Sequence, residues 1–472
     1  DSGGEMAEAK KDWRGKGKRR KPKGASGSGR PKPADLPTEP ITLVAGSPAH
    51  GGAVVARGDD GRTVFLRGAL PGEQVRAKVS ADHKKYLWAD TVEVLERSPD
   101  RVDHVWPEPI EIGESAADLG FVSAPAQLQW KSAVLADQLR RVGGPDLAAR
   151  VAELYPDGVQ VVATSGEASS QGEGGRRTRV QLTAGKDGRL GMRPYRTNDV
   201  VPVDSIPLAV PAIADVTTLD PNLPGSPWKG KWAPGERVSL VAPSAGPALV
   251  VTERGVYQLA DGQPFKEKAT WEVTADGRTE TFKVTPGGFW QTDKDAPTEL
   301  VERVLEAAQA RPGQIALELY SGAGLLSRFL ADKVGPSGQL LTLEGDEAAV
   351  ADAGENLVDA LEDDFAVLYQ GSIDAGSVAE LADAADRDVD LVVLDPPRKG
   401  AGKDVAQAVA KTGAHKVVLV SCDPAAAARD LRDFADLGFE LESLVGLDLF
   451  PHTHHFETVA ELSRKPEPAE ES

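Results

Sequence analysis

The chain has 472 residues, 40% hydrophobic and 5% aromatic, with one cysteine and a formal net charge of −19. That length predicts two to four domains; no apolar run reaches the roughly eighteen residues of a membrane span, and a lone thiol excludes an intramolecular disulfide and any all-cysteine metal site. The charge is uneven: residues 1–33 carry eleven Lys/Arg against four Asp/Glu, so the rest stands at −26 and any RNA surface on it has to be a local basic patch.

The first segment, 1–37, is rich in Gly, Pro and Lys and almost free of aliphatic residues, which predicts a disordered basic tail. It lacks an apolar stretch of the signal-peptide kind, and with one unpaired thiol the expected compartment is the cytoplasm. Ile41 to Glu96 alternates in short bursts broken by HGG, GDDG and PGE, the pattern of a small β-barrel, with Gly51-Gly52 and Leu70-Pro71-Gly72-Glu73 as chain reversals. Ser98 to Pro107 reads as a connector. Pro125 to Gly144 has helical spacing and a glycine stop, and 166–175 is a polar Gly/Ser loop. From Arg176 to about Lys283 further β-like bursts follow; Arg176, Arg177 and Arg179 form their most basic spot, either an exposed strand edge or a phosphate contact.

The character then changes. A helix over 296–310 precedes an alternation of strand Ile315–Tyr320, helix through Leu326, strand Leu340–Glu344, helix Glu347–Ala360, strand Asp390–Leu394, helix around Val405 and strand Val417–Val420. Repeated β-then-α units imply a parallel, doubly wound sheet, whose ligands bind at the carboxyl ends of the strands.

Four motifs fall at those ends. Leu317 to Gly324 (LELYSGAG) puts Gly322 and Gly324 in a strand-to-helix turn that lets backbone approach a nucleotide-like ligand, and Glu344, about twenty residues on, can accept from a ribose diol. An NAD site uses the same logic, but Ser327 stands where the third glycine of G-x-G-x-x-G belongs, which favours S-adenosylmethionine. Asp395-Pro396-Pro397-Arg398 fixes Asp395 at a rigid strand tip. Ser421-Cys422-Asp423-Pro424 places the only cysteine at a strand-to-helix turn, and Asp448 to Glu457 (DLFPHTHHFE) reads as a turn between strands; its histidines lack the HExxH spacing of a zinc site.

Together, LELYSGAG, Glu344, DPPRKG, SCDP followed by ARDL, and FPHTHHFE resemble the class I S-adenosylmethionine-dependent RNA 5-methyluridine methyltransferases, the family of the tRNA uracil-54 and 23S rRNA uracil enzymes, and 41–96 is similar to the TRAM domain that often precedes them. The resemblance implies a multidomain α/β chain: a TRAM-like barrel at 38–98, a mostly β central domain with a helix at 99–290 and a Rossmann-like methyltransferase domain at 291–472. It makes Cys422 the nucleophile and Glu457 the base. It gives the cofactor, S-adenosylmethionine, to Gln291, Tyr320, Gly322, Gly324, Glu344 and Asp395, and the RNA substrate, tRNA or 23S rRNA, to Arg398 and His452. A free thiol is mostly protonated near neutrality, so Arg398 and the helix start are expected to lower the pKa of Cys422. Asp293, Glu318, Ser321, Leu325 and Ser372 depart from the family's commoner Asn, Asp, Cys, Asn and Asp. The four cysteines that hold an iron-sulfur cluster in many relatives are missing, so no such cluster is expected. Two other readings stay open: a silent RNA-binding protein on the same fold, and a methyltransferase with a different acceptor.

Overall fold

The computed structural model describes residues 36–164, 175–195 and 197–465. Residues 1–35 of the expected tail and nearly all of the 166–175 loop lie outside them. The first described unit is a six-stranded sheet running from Ile41–Val44 to Tyr86–Glu96, with the Pro48–Ala49 and Ala53–Arg57 hairpin at one edge. Its alternating valines, leucines and alanines face inward and join a core shared with the helices Ala124–Arg141 and Pro145–Leu154 and with one face of the C-terminal sheet. The middle of the chain forms a second six-stranded antiparallel sheet, centred on Arg179–Ala184 and Arg237–Val241, with a core of its own around Trp228 and Trp232, and a hairpin of Ala269–Ala275 and Arg278–Val284.

The C-terminal sheet has eight strands in the spatial order Ala366–Gln370, Gln339–Glu344, Ile315–Leu319, Leu391–Leu394, Lys416–Ser421, Glu457–Arg464, Phe439–Leu447 and Val161–Val162. The first five run parallel; Glu457–Arg464 is antiparallel to both its neighbours. Ile315–Leu319 and Leu391–Leu394 are buried at every residue, as strands covered by helices on both faces must be. Val161–Val162 lies 277 residues or more before the strand beside it, so the segment after the Pro145–Leu154 helix is built into the C-terminal sheet.

The alternation seen in the sequence is present, with three differences. The helix after LELYSGAG begins at Leu325 and runs to Val334. The segment 347–360 is two helices, Glu347–Asn356 and Val358–Glu362, broken at buried Leu357. A strand, Ala366–Gln370, and a helix, Ala375–Asp383, stand where no element was expected, because AVLYQ is too short and mixed to show a period. Among the described residues no helix is long and apolar enough to cross a membrane.

Candidate active site

Sheet register brings the two principal residues together. Ser421 pairs with Thr458 on the antiparallel strand, so the next residues outward, Cys422 and Glu457, leave the same ladder side by side. Directly opposed positions of an antiparallel pair lie about 5 Å apart at Cβ. A parallel neighbour would have carried its carboxyl end in the same direction and left nothing returning beside the thiol; the antiparallel strand supplies the carboxylate.

A cavity of about 680 Å³ opens at these strand ends, and Gln291, Tyr320, Gly322, Glu344, Asp395, Arg398, Cys422 and Glu457 all line it. Two residues expected there do not. Gly324 caps the Leu325–Val334 helix at φ 92°, and a Cβ on it would sit 2.6 Å from Leu357 Cδ1, so its smallness serves helix packing. His452 is held away from the cavity: its N–H donates to Gln127 Oε1 at 2.7 Å, its Nδ1 lies 3.0 Å from Gln127 Nε2, and its carbonyl accepts from Leu119. His455, considered from the sequence only as a metal ligand, takes the lining position, its ring centroid 3.9 Å from that of His454 and tilted by 37°. The loop carrying these histidines is pinned by fully buried Lys131, which donates to Asp448 Oδ1 at 2.5 Å and to the Phe450 carbonyl at 3.1 Å.

The residues expected to bind the cofactor are preset by backbone contacts. Glu344 accepts the Gly322 N–H at 2.9 Å on one oxygen and the Asp346 N–H at 2.8 Å on the other. Each oxygen keeps a second lone pair, which is what a ribose diol requires. Gly322 has φ 56° and nothing within 4 Å of an added Cβ, so backbone conformation is its constraint. The loop after Asp395 is braced from the next helix, where buried Asp430 accepts the N–H groups of Ala401 at 2.7 Å and Gly402 at 3.1 Å. Asp430, an acid on the otherwise apolar buried face of the Pro424–Asp436 helix, was the available signal for that brace. Glu457 Oε2 is buried without a hydrogen-bond partner among the described residues, an unsatisfied acceptor aimed for a group that the protein itself does not supply. Cavity size, the preset Glu344 and this orphaned oxygen fit S-adenosylmethionine together with a flipped base.

Burial disfavours charge on the thiol and on three carboxyls of the cavity. Burial, reinforced by Glu457 and Asp395, pushes the Cys422 thiol up to about 12; Arg398 pulls the other way and loses. Net lowering of that thiol, expected from the sequence, is therefore absent in the ligand-free protein; only the sign of Arg398's influence agrees. Burial also raises Glu457 well above the usual carboxylate range, with Asp395 adding to it, and raises Asp395. Glu318, beneath them, goes up to about 8 by burial, although the Ser327 hydroxyl donates to it. His455 goes down to about 3 and His452 to about 4, both through burial.

The three arginines separate. Arg176 is neutralised by Asp293 at 2.8 Å and Asp295 at 2.5 Å, a structural ion pair. Burial lowers the pKa of Arg177 and Arg179 instead, and Arg179 donates to the Trp290 carbonyl at 3.4 Å. Among the described residues no group of three or more His, Cys, Asp or Glu could hold a metal ion.

The sequence profile of the tRNA (uracil-5-)-methyltransferases matches residues 266–465, and that of the TRAM domain matches 42–92. An uncharacterized RNA methyltransferase of Streptomyces avermitilis is 36% identical over 440 residues, covering 88% of this chain and 96% of that protein. The chain belongs to this RNA (uracil-5-)-methyltransferase family. The methyltransferase is also 28% identical to the 23S rRNA (uracil(1939)-C(5))-methyltransferase RlmD of Methylococcus capsulatus, over 92% of the chain and 99% of that enzyme. In fold it is similar to the Pyrococcus abyssi tRNA (uracil-54, C5)-methyltransferase solved with S-adenosyl-L-homocysteine, with a TM-score of 0.63 at 20% identity, covering 89% of this chain and 99% of that one. The methyltransferase's two matched regions contain the Pro48–Ala53 hairpin and every residue of the cavity wall named above.

Proposed function

We propose that this methyltransferase transfers a methyl group from S-adenosylmethionine to C5 of a uracil in tRNA or 23S rRNA through a covalent adduct between Cys422 and C6. The observation that carries the proposal is the register that sets Cys422 beside Glu457. When bound, S-adenosylmethionine supplies an electrophilic methyl group and a sulfonium cation. Uracil C5 is too weak a nucleophile for that methyl unaided. Cys422 loses its Sγ proton to solvent and bonds through Sγ to C6, and the C5=C6 electron pair moves into an enolate ending at O4. The enolate makes C5 nucleophilic. Once C5 is methylated, Glu457 takes the C5 proton; the electrons of that C–H bond restore C5=C6 as the C6–S bond breaks and the thiolate leaves. Any positive charge entering the cavity favours the ionised thiol and carboxylates, because burial and mutual repulsion are what keep them neutral.

In this reading Glu344, Gln291, Tyr320, Gly322 and Asp395 bind the cofactor and Arg398 faces the substrate, while Gly324 and His452 support them from behind. The target base has to leave its stack to be reached by the thiol. The units expected at 38–98 and 291–472 correspond to a TRAM-like barrel and a Rossmann-like catalytic domain; of 99–290, the helices and strand between Ala124 and Val162 pack with the catalytic sheet and the rest is a central domain that presents RNA, all operating in the cytoplasm.

The test is incubation with labelled S-adenosylmethionine and RNA transcripts containing 5-fluorouridine, with tRNA and 23S rRNA in separate reactions. Fluorine cannot leave as a proton, so the adduct accumulates as a shifted, labelled band on a denaturing gel. The expected band is lost in Cys422→Ala. Cofactor binding with no band from either RNA refutes the proposal and favours a silent RNA-binding protein or another acceptor.

A further inference from the structure

Resting on the assignment of Cys422 as nucleophile, we propose that His50, from the N-terminal sheet, is a positioning residue for the catalytic loop. Cys422 sits between two fixed neighbours. Ser421 before it is laddered to Thr458, and Asp423 after it uses one carboxylate oxygen to accept the Ala426 N–H at 2.8 Å, capping the Pro424–Asp436 helix. The other Asp423 oxygen lies 3.0 Å from His50 Nε2. His50 belongs to the tip of the Pro48–Ala49 and Ala53–Arg57 hairpin, some 370 residues away in sequence. One carboxylate thus divides its two oxygens between a helix start and a different domain, and it is the chain neighbour of the thiol.

The hairpin tip is fitted closely. Gly52 has φ 83°, and a Cβ there would stand 2.5 Å from Asp118 Oδ2 and 3.2 Å from His454 Nδ1. Asp118 in turn accepts the His454 N–H at 2.9 Å and meets His454 Nδ1 at 2.5 Å, and the rings of His50 and His454 approach edge-on at 6.4 Å. The hairpin therefore reaches the Cys422–Asp423 turn on one side and the 452–455 turn, which ends next to Glu457, on the other. Burial raises the Asp423 carboxyl, but the hydrogen bond from His50 and those from the helix start outweigh it and leave Asp423 below its ordinary range. An Asp423 kept ionised and tethered fixes the path of the chain through Cys422, so the N-terminal sheet completes the nucleophile's setting.

The experiment measures single-turnover adduct formation on 5-fluorouridine RNA at saturating RNA and cofactor, with RNA affinity, cofactor affinity and thermal midpoint measured on the same full-length variants. His50→Ala should slow adduct formation about tenfold, the usual consequence of losing a hydrogen bond to a charged group. His50→Gln, which keeps a donor near the Nε2 position, should recover most of the rate. Asp423→Asn keeps the helix cap but loses the ionic partner. It should slow the reaction similarly, and the double variant should be no slower than either single one. An adduct rate for His50→Ala within about twofold of wild type overturns the proposal. So do rates that multiply in the double variant, or a loss confined to RNA affinity or thermal midpoint, which is the mark of a substrate contact or a plain domain clasp. Wild type forming no adduct removes the Cys422 assignment itself and the positioning role with it; wild type reacting while His50→Ala reacts equally removes only the positioning role.

Discussion

Removing Arg176 should harm this protein far more than neutralising Asp293, although the two are partners. Arg176 donates to Asp293 at 2.8 and 3.2 Å, to Asp295 at 2.5 Å and to Thr164 Oγ1 at 2.9 Å, and the side chains of Arg176 and Asp293 are only 11% and 2% exposed. Arg176→Met leaves two carboxylates facing each other with no cation between them, one of them in the core; breaking a buried pair in this way costs about 3–5 kcal/mol. In Asp293→Asn the amide oxygen still accepts the Asp295 N–H, and Arg176 retains Asp295 and Thr164, so the loss should be about 1 kcal/mol. Burial pushes the Asp293 carboxyl up while Arg176 pulls it down, and Arg176 itself is held more firmly protonated. Urea midpoints of the two variants decide the matter. The backbone ladder of this region also joins Thr178 to Thr292 and Arg176 to Lys294, so collapse of the pair should displace Gln291 and weaken cofactor binding in Arg176→Met only. An Arg176→Met variant within about 1 kcal/mol of wild type, or an Asp293→Asn variant that loses more, refutes the reasoning.

Two further predictions concern the cofactor turn. Glu318, fully buried with a carboxyl raised to about 8, holds its proton in the folded state and gives it up more readily when unfolded, so its share of stability is full below about pH 4.5 and is lost as pH rises towards 8. Glu318→Gln should flatten that fall, gaining roughly 3 kcal/mol over wild type by about pH 7.5 in pH-resolved denaturation, and an unchanged slope refutes it. Gly324→Ala places a methyl against Leu357 Cδ1 at a φ of 92°, and should lower the unfolding free energy by about 1–3 kcal/mol in urea titration; a neutral result contradicts the packing role given to this glycine.

The sequence made the strand ends legible because short runs such as IALEL and LVVL are almost wholly apolar and end in Gly, Pro or Cys turns, so Gly322, Glu344, Asp395 and Cys422 could be placed on one sheet edge without coordinates. What it could not supply was anything depending on partners distant in the chain. His452 and His455 stand three residues apart in one motif, and only the presence of Gln127 beside the first decides which of them lines the cavity. Asp293 looked like a weakened cofactor contact; Arg176, 117 residues earlier, explains the added charge. Glu318 and Ser327 were two separate departures from pattern, and the hydrogen bond between them makes them one. In each case the missing information is a contact between segments that carry no shared periodicity.

The same contacts bear on how the reaction is kept in order. A thiol at about 12 is almost entirely protonated at neutral pH, and burial raises the carboxyls of Glu457 and Asp395 beside it, with Asp395 adding to the rise at Glu457. Arg398 is the one cation among the cavity-lining residues, and it does not outweigh them. A site built this way has little nucleophilic character before its ligands arrive, because an ionised sulfur would face Glu457 and Asp395 without compensation. Rigidity has to come from elsewhere, since weak charges cannot hold the loop. It comes from the ladder at Ser421, the cap at Asp423, the brace at Asp430 and the buried Lys131–Asp448 pair. In the proposed mechanism the geometry of attack is therefore set in advance by backbone contacts and remote ion pairs, while the charge that drives attack is left to the ligands.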